Sequence, residues 1–254
     1  MADALCEASA VNVVGMVQIG CDLASARWTV RAVEEHPQLI GGVALHPTEA
    51  ADIVAAQPDP ARRGAALDGA LAEIEELAGH PRIRVVGETG LDHYWVPAGD
   101  VAGRAAQEES FRRHIDIARR LDKVLQIHDR DAHEGVLRIL GEEGAPPRTV
   151  FHCFSGDAGM ARYCADRGWY LSFAGTLTFK NAEPLREALR AVPLEQVQVE
   201  TDAPYLAPAP HRGRTNAGYL VPLTVRCMAE VTGRDLDEVC TTLRATAESL
   251  YGPW

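Results

Sequence analysis

Four apolar runs in this chain each close on a side chain that can hold a divalent metal, and few folds accommodate such punctuation. They are Val85-Val86-Gly87-Glu88, Val124-Leu125-Gln126-Ile127-His128, Val150-Phe151-His152 and Val197-Gln198-Val199-Glu200-Thr201-Asp202. A strand buried on both faces of a parallel sheet reads as a continuous Val/Ile/Leu run, and ligand chemistry collects at the carboxyl tips of such strands. His, Glu and Asp on several tips point to a shared metal site. No His-x-His pair occurs anywhere in the chain.

Strand-like and helix-like segments alternate from end to end, the rhythm of a parallel α/β sheet with crossover helices. Seven strands are expected, over Val13 to Ile19, Ile40 to Leu45, Ile83 to Gly87, Val124 to His128, Thr149 to His152, Trp169 to Phe173 and Val197 to Glu200. Between them, apolar residues at three- and four-residue steps mark helices, for example Leu67, Leu71, Ile74 and Leu77, or Phe111, Ile115, Ala118 and Leu121. Seven strands fit either an open doubly wound sheet or a (β/α)8 barrel short of one strand. Residues 1 to 8 read as the middle of a surface helix without a cap, so the chain is expected to begin partway through a βα unit.

With 254 residues, 46% of them hydrophobic, a single domain over 1–254 is expected. The net charge of −11 excludes attraction of nucleic acid by bulk charge and leaves a local basic patch open. The six cysteines form no C-x-x-C pair or dense disulfide pattern and read as reduced thiols. With no targeting or membrane-spanning segment recognisable, a cytoplasmic protein without membrane contact is expected, and no obligatory protein partner is evident.

Glu88 lies in Gly87-Glu88-Thr89-Gly90-Leu91-Asp92, where glycines allow close approach of backbone or ligand to a carboxylate that burial would force to find a cation. Asp92 is expected in the following loop, as a ligand contact or a helix cap. His128 alone could be a core histidine, but His152 ends the next strand in the same register, and a pair of imidazoles on neighbouring tips favours metal. His133 is expected as a capping or surface residue; Arg130 either meets an anionic substrate or pairs with Asp129 or Asp131. Asp202 is the oxygen ligand and candidate general base, or a helix cap, and Glu200, on the same strand face, is a supporting or catalytic carboxylate. His211 to Asn216 offer positive charge and amide donors to phosphate, or form a solvated loop. Two His with three carboxylates suit Mg²⁺, Mn²⁺ or Zn²⁺.

The ordered set Gly87 to Asp92, Gln126 to His133, Phe151 to Gly156 and Glu200 to Leu206 closely resembles the TatD-type metal-dependent deoxyribonucleases. Leu45-His46-Pro47 and Pro210-His211-Arg212-Gly213 also match, so the resemblance runs from about Val13 to Tyr251. It implies a TIM (β/α)8-type barrel of the amidohydrolase kind, truncated here before its first strand, with up to two divalent ions hydrolysing phosphodiesters of DNA from the 3′ end. Carried over, it makes Glu88 a bridging ligand, His128 and His152 ligands of one ion and Asp202 of the other. Glu88, Asp202 and Glu200 become the catalytic carboxylates, and His46, Asp92, Arg130, Phe154 and Arg212 line the DNA groove. The chain departs from the pattern at the absent His-x-His, at Thr48 and at Asn216-Ala217-Gly218. The competing expectations are an amidohydrolase-type enzyme of small esters or amides, since one fold hosts many chemistries, and a catalytically impaired barrel.

Overall fold

The computed structural model describes residues 1–254 and contains all seven expected strands. They are β1 (Met16–Gly20), β2 (Leu39–Val43), β3 (Ile83–Asp92), β4 (Val124–Arg130), β5 (Thr149–Phe151), β6 (Tyr170–Phe173) and β7 (Val197–Val199). The chain divides into two compact units, Val17–Val150 and Met1–Met16 with Phe151–Trp254. No helix is long and apolar enough to cross a membrane.

In the first unit β1 to β4 lie in sequence order, and β2–β3 and β3–β4 are parallel. Their crossovers are α2 (Leu23–Glu35), α3 (Pro47–Ala55), α4 (Arg63–Ala78) and α5 (Val101–Arg120), with α6 (His133–Glu143) after β4. The helix starts follow local chemistry. Asp22 and Ser25 form a reciprocal capping box on α2, satisfying two otherwise orphaned amides, and Asp100 accepts from the Gly103 N–H at the start of α5. Arg119 and Arg120 end α5, where positive charge suits the carbonyl end of the helix dipole. The buried face of α5 carries Phe111, Ile115 and Ala118, as their spacing predicts, together with Gln107 and His114. Ile40, Ile74, Ile83, Leu91 and Phe111 build the core against the sheet.

β3 runs five residues beyond its expected end at Gly87, and Asp92 is its buried last residue rather than a loop residue. The cause is Gly90. Its φ is +141°, and a Cβ there would lie 2.1 Å from the His128 carbonyl oxygen, so only glycine lets β3 stay paired with β4 as far as Asp92↔Arg130. At Gly87 a Cβ would meet Gln126 at 2.5 Å. The glycines flanking Glu88 therefore serve the approach of neighbouring backbone.

In the second unit, β6 and β7 pair in parallel, Leu171↔Val197 to Phe173↔Val199. The helices are α1 (Ala2–Ser9), α7 (Ala158–Ala165), α8 (Glu183–Arg190), α9 (Val221–Thr232) and α10 (Leu236–Tyr251). Helix α1 has Met1 at its N-cap position and no side-chain cap, as its sequence predicts. Between β7 and α9 a proline-rich loop carries Asp202 at φ 57°, a left-handed conformation that Asp tolerates better than most residues.

Candidate metal centre

Each unit contains an imidazole held between two carboxylates, and the two arrangements share one logic. In the first unit His128 Nε2 lies 3.1 Å from Asp92 Oδ2, and His128 Nδ1 lies 3.6 Å from Glu88 Oε2. The shorter contact is a hydrogen bond, which puts the ring proton on Nε2 and leaves Nδ1 with its lone pair toward Glu88. Two acceptors 3.6 Å apart cannot bond to each other. They can share a cation, since imidazole and carboxylate each bind one at about 2.0–2.2 Å. A carboxylate that orients the ligating imidazole is a recurrent support of metal sites.

The second unit repeats this. His152 Nδ1 is 2.8 Å from Glu200 Oε1, and His152 Nε2 is 3.8 Å from Asp202 Oδ1. Glu200 also accepts from the Cys153 backbone N–H at 3.0 Å, and from the Ser172 hydroxyl, so its oxygens are committed to fixing His152. Cys153 Sγ lies within ligand spacing of His152. Its backbone amide, however, is the group engaged with Glu200. The imidazole and carboxylate donors of both arrangements fit a divalent ion of the Mg²⁺, Mn²⁺ or Zn²⁺ class.

Asp92 has a second task. Its Oδ1 accepts from the backbone N–H groups of Tyr94 at 3.0 Å and Trp95 at 2.8 Å, so it caps a turn, not a helix. Burial alone would raise the Asp92 carboxyl, but the His128 hydrogen bond and the Trp95 amide outweigh it and hold it below the usual carboxylate range. Cys21, at the end of β1, donates its thiol to Glu88 Oε1 at 3.3 Å, a contact that no sequence motif announced.

His46 caps α3, with Nδ1 accepting from the Thr48 N–H at 3.2 Å. The amide proton makes Nδ1 the acceptor and puts the ring proton on Nε2, so His46 presents a donor suited to an anionic oxygen rather than a cation. Its ring centroid is 4.4 Å from that of His128. Thr48, where the family's second His often stands, completes this cap with its hydroxyl 2.7 Å from Nδ1.

The other expected residues separate. Arg130 is exposed and stacks over the Tyr94 ring, 4.0 Å from its centroid. Arg212 stands over Phe179 at 4.4 Å. His133 opens α6 and contacts Asp129 Oδ2 at 2.7 Å. Phe154, placed on the groove by resemblance, is 3% exposed and packs edge-on against Phe173, so the structure makes it a core residue. Asn216, expected as an amide donor to phosphate, is buried and spends both amide hydrogens on the Thr201 and Tyr205 carbonyls at 2.7 Å, stapling the Asp202 loop.

One supporting residue escaped the sequence reading. His114, fully buried on α5, accepts from the Leu45 N–H through Nε2 at 3.2 Å and has Nδ1 2.7 Å from the Ser110 carbonyl and 3.2 Å from Thr89 Oγ1. It thus fixes the residue before His46 and the residue after Glu88. Its only sequence signal was a polar residue on the apolar stripe of Phe111 and Ile115.

Comparison with known proteins places the chain in a family. A family model described as TatD related DNase matches residues 1–252. The chain is 46% identical to the uncharacterized metal-dependent hydrolase TatD of Mycobacterium tuberculosis, over 96% of this chain and 88% of the relative. It is 33% identical to the uncharacterized metal-dependent hydrolase YabD of Bacillus subtilis, over 96% and 89%. Among solved structures, the TatD homolog YJJV of Escherichia coli superposes with a TM-score of 0.86 at 21% identity, covering 100% of this chain and 92% of that one. At that identity the likeness shows the fold, which is the α/β, TIM-barrel-like class expected from the seven strands.

Proposed function

The chain belongs to the TatD-related family of metal-dependent hydrolases, and from that premise we propose that it cleaves phosphodiester bonds in DNA. The observation that carries the reading is the repeated carboxylate–imidazole–carboxylate pattern, Asp92–His128–Glu88 and Glu200–His152–Asp202. In this proposal Glu88 and His128 serve as metal ligands in one unit and His152 and Asp202 in the other, while Asp92 and Glu200 orient the two imidazoles. A divalent ion held there supplies Lewis acidity toward the phosphoryl oxygens and lowers the pKa of water.

The protein's own groups supply the rest. Asp202, with a side chain 26% exposed, is open enough to take the proton of the attacking water on a carboxylate oxygen. His46 Nε2–H, Arg130 and Arg212 are donors to anionic oxygens, which supports a phosphate substrate over a neutral ester. The 3′-to-5′ direction is carried by the family resemblance. The six cysteines form no disulfide with one another, which fits work in a reducing compartment such as the cytoplasm.

The test is release of nucleotides from end-labelled DNA with Mg²⁺ or Mn²⁺, alongside turnover of p-nitrophenyl acetate. DNA cleavage that disappears with chelator and in His128→Ala and Asp202→Asn is expected. Turnover of the ester alone would assign the site to another hydrolase reaction.

A further inference from the structure

The thiol of Cys153 has no part in the proposed reaction, yet the backbone brings it beside His152. Consecutive residues of an extended chain point to opposite faces, so a side chain directly after His152 should turn away from it. At Cys153 the backbone instead takes φ 42°, a left-handed conformation uncommon for a residue with a Cβ. That turn lets the Cys153 N–H reach Glu200 Oε1 at 3.0 Å and keeps the thiol near the imidazole. One ligand atom each from His152, Cys153 and Glu200 consequently lies within 4.8 Å of the other two, and all three residues are half-buried.

This trio differs in chemistry from the pair formed by His152 and Asp202. Glu200 Oε1 lies 2.8 Å from His152 Nδ1, whereas Asp202 Oδ1 lies 3.8 Å from Nε2, so the two carboxylates address different nitrogens of one ring. Sulfur, nitrogen and oxygen together are a donor set for thiophilic ions such as Zn²⁺ and Cd²⁺, while Mg²⁺ and Mn²⁺ favour oxygen. Around a tetrahedral ion such donors stand about 3.4–3.6 Å apart, so the 2.8 Å His152–Glu200 contact needs to open by only about 0.6 Å.

We propose that His152, Cys153 and Glu200 form an inhibitory site for a thiophilic cation, which takes His152 away from the ion it would hold with Asp202. The site stands on its own geometry, and its effect on turnover rests on the phosphodiesterase reading. As the sulfur–metal bond forms, the thiol proton leaves to solvent. The imidazole proton moves from Nδ1, now a ligand, to Nε2. Nε2–H is then a donor toward Asp202 and has no lone pair left for a second ion.

The experiment is absorption titration of the reduced full chain with Cd²⁺, read at the ultraviolet thiolate-to-metal charge-transfer band. It is repeated on Cys153→Ser, on His152→Ala and on Cys240→Ser, whose thiol is exposed on α10. A single equivalent of Cd²⁺ should raise the band in the wild type and in Cys240→Ser, and a large excess of Mg²⁺ should leave it in place. Cys153→Ser and His152→Ala should lose it. In Mn²⁺-dependent DNA cleavage, with each protein compared with its own rate before Zn²⁺ is added, half-inhibition of Cys153→Ser should need more Zn²⁺ than the wild type by about tenfold, the least that losing even a supporting partner of a metal site costs. No band in the wild type, or a band that survives in Cys153→Ser, overturns the site. Equal inhibition of the two proteins overturns the withdrawal of His152. If DNA cleavage persists in either case, the phosphodiesterase reading stands. A Cys153-dependent band in a chain that cleaves no DNA keeps the site and overturns that reading.

Discussion

Acid should destabilise this protein through one buried imidazole before it protonates most carboxylates. Burial pulls the His114 pKa down from 6.5 to about 4, outweighing the Ser110 carbonyl that favours the charged ring. The bonding explains the direction, because Nε2 accepts from the Leu45 N–H and a proton there would set two donors face to face. The unfolded chain binds this proton near pH 6.5 and the folded chain near 4, so between those values the unfolded state holds more protons. Stability is therefore complete above pH 6.5, is lost as pH falls, and is down by about 2 kcal/mol at pH 5 and about 3 kcal/mol below pH 4. Urea unfolding of wild type and His114→Gln at pH 7.5 and pH 5, followed by one probe, isolates the contribution because the carboxylates cancel in the difference. The wild type should lose about 2 kcal/mol more than the variant between the two pH values. A gap between the two proteins that stays constant with pH would refute the argument.

The other consequences concern the strand tips and their supports. Gly90→Ala should destabilise the first unit by about 3 kcal/mol or more, from a Cβ driven into the His128 carbonyl; a melting temperature equal to wild type would contradict this. Glu200→Gln should lower Mn²⁺ affinity about 10- to 100-fold by calorimetry, because the amide no longer fixes the His152 proton on Nδ1; unchanged affinity would remove Glu200 from the support of His152. Arg82 donates to the Val33, Pro37 and Leu39 carbonyls where α2 leads into β2, so Arg82→Ala should cost about 2 kcal/mol in denaturant unfolding, whereas Arg82→Lys, lacking the fork, should recover only part.

The candidate ligands were legible as residue types because each follows an apolar run, although β3 and β4 continue beyond Glu88 and His128, and His152 and Asp202 lie after β5 and β7. The runs closing on Glu88, His128, His152 and Asp202 combine apolar burial with a sudden polar residue, and both signals are local. The amphipathic spacing was readable for the same reason: Leu67, Leu71 and Ile74, and Phe111, Ile115 and Ala118, are buried, while Leu77 and Leu121, which close the two stripes, are half-buried. Asp92 misled because a glycine two residues earlier ordinarily signals a turn, and only the closeness of β4 makes Gly90 part of a strand. Phe154 and Asn216 misled because proximity to a motif says nothing of side-chain direction. Phe154 turns toward Phe173, and Asn216 turns back onto its own loop.

By itself the sequence determined the order of strands and helices and the residue types at the strand tips, since both follow from patterns a few residues long. Tertiary structure alone decided which carboxylate orients an imidazole and which faces its other nitrogen. Asp92 against Glu88 on His128, and Glu200 against Asp202 on His152, differ by less than 1.1 Å in contact distance. That difference arises from register, from the backbone path at Gly90 and Asp202, and from supports such as Ser172 that lie far away along the chain. A hydrogen bond depends on separations of tenths of an ångström between groups brought together by folding, and the order of residues along a chain carries no such measure.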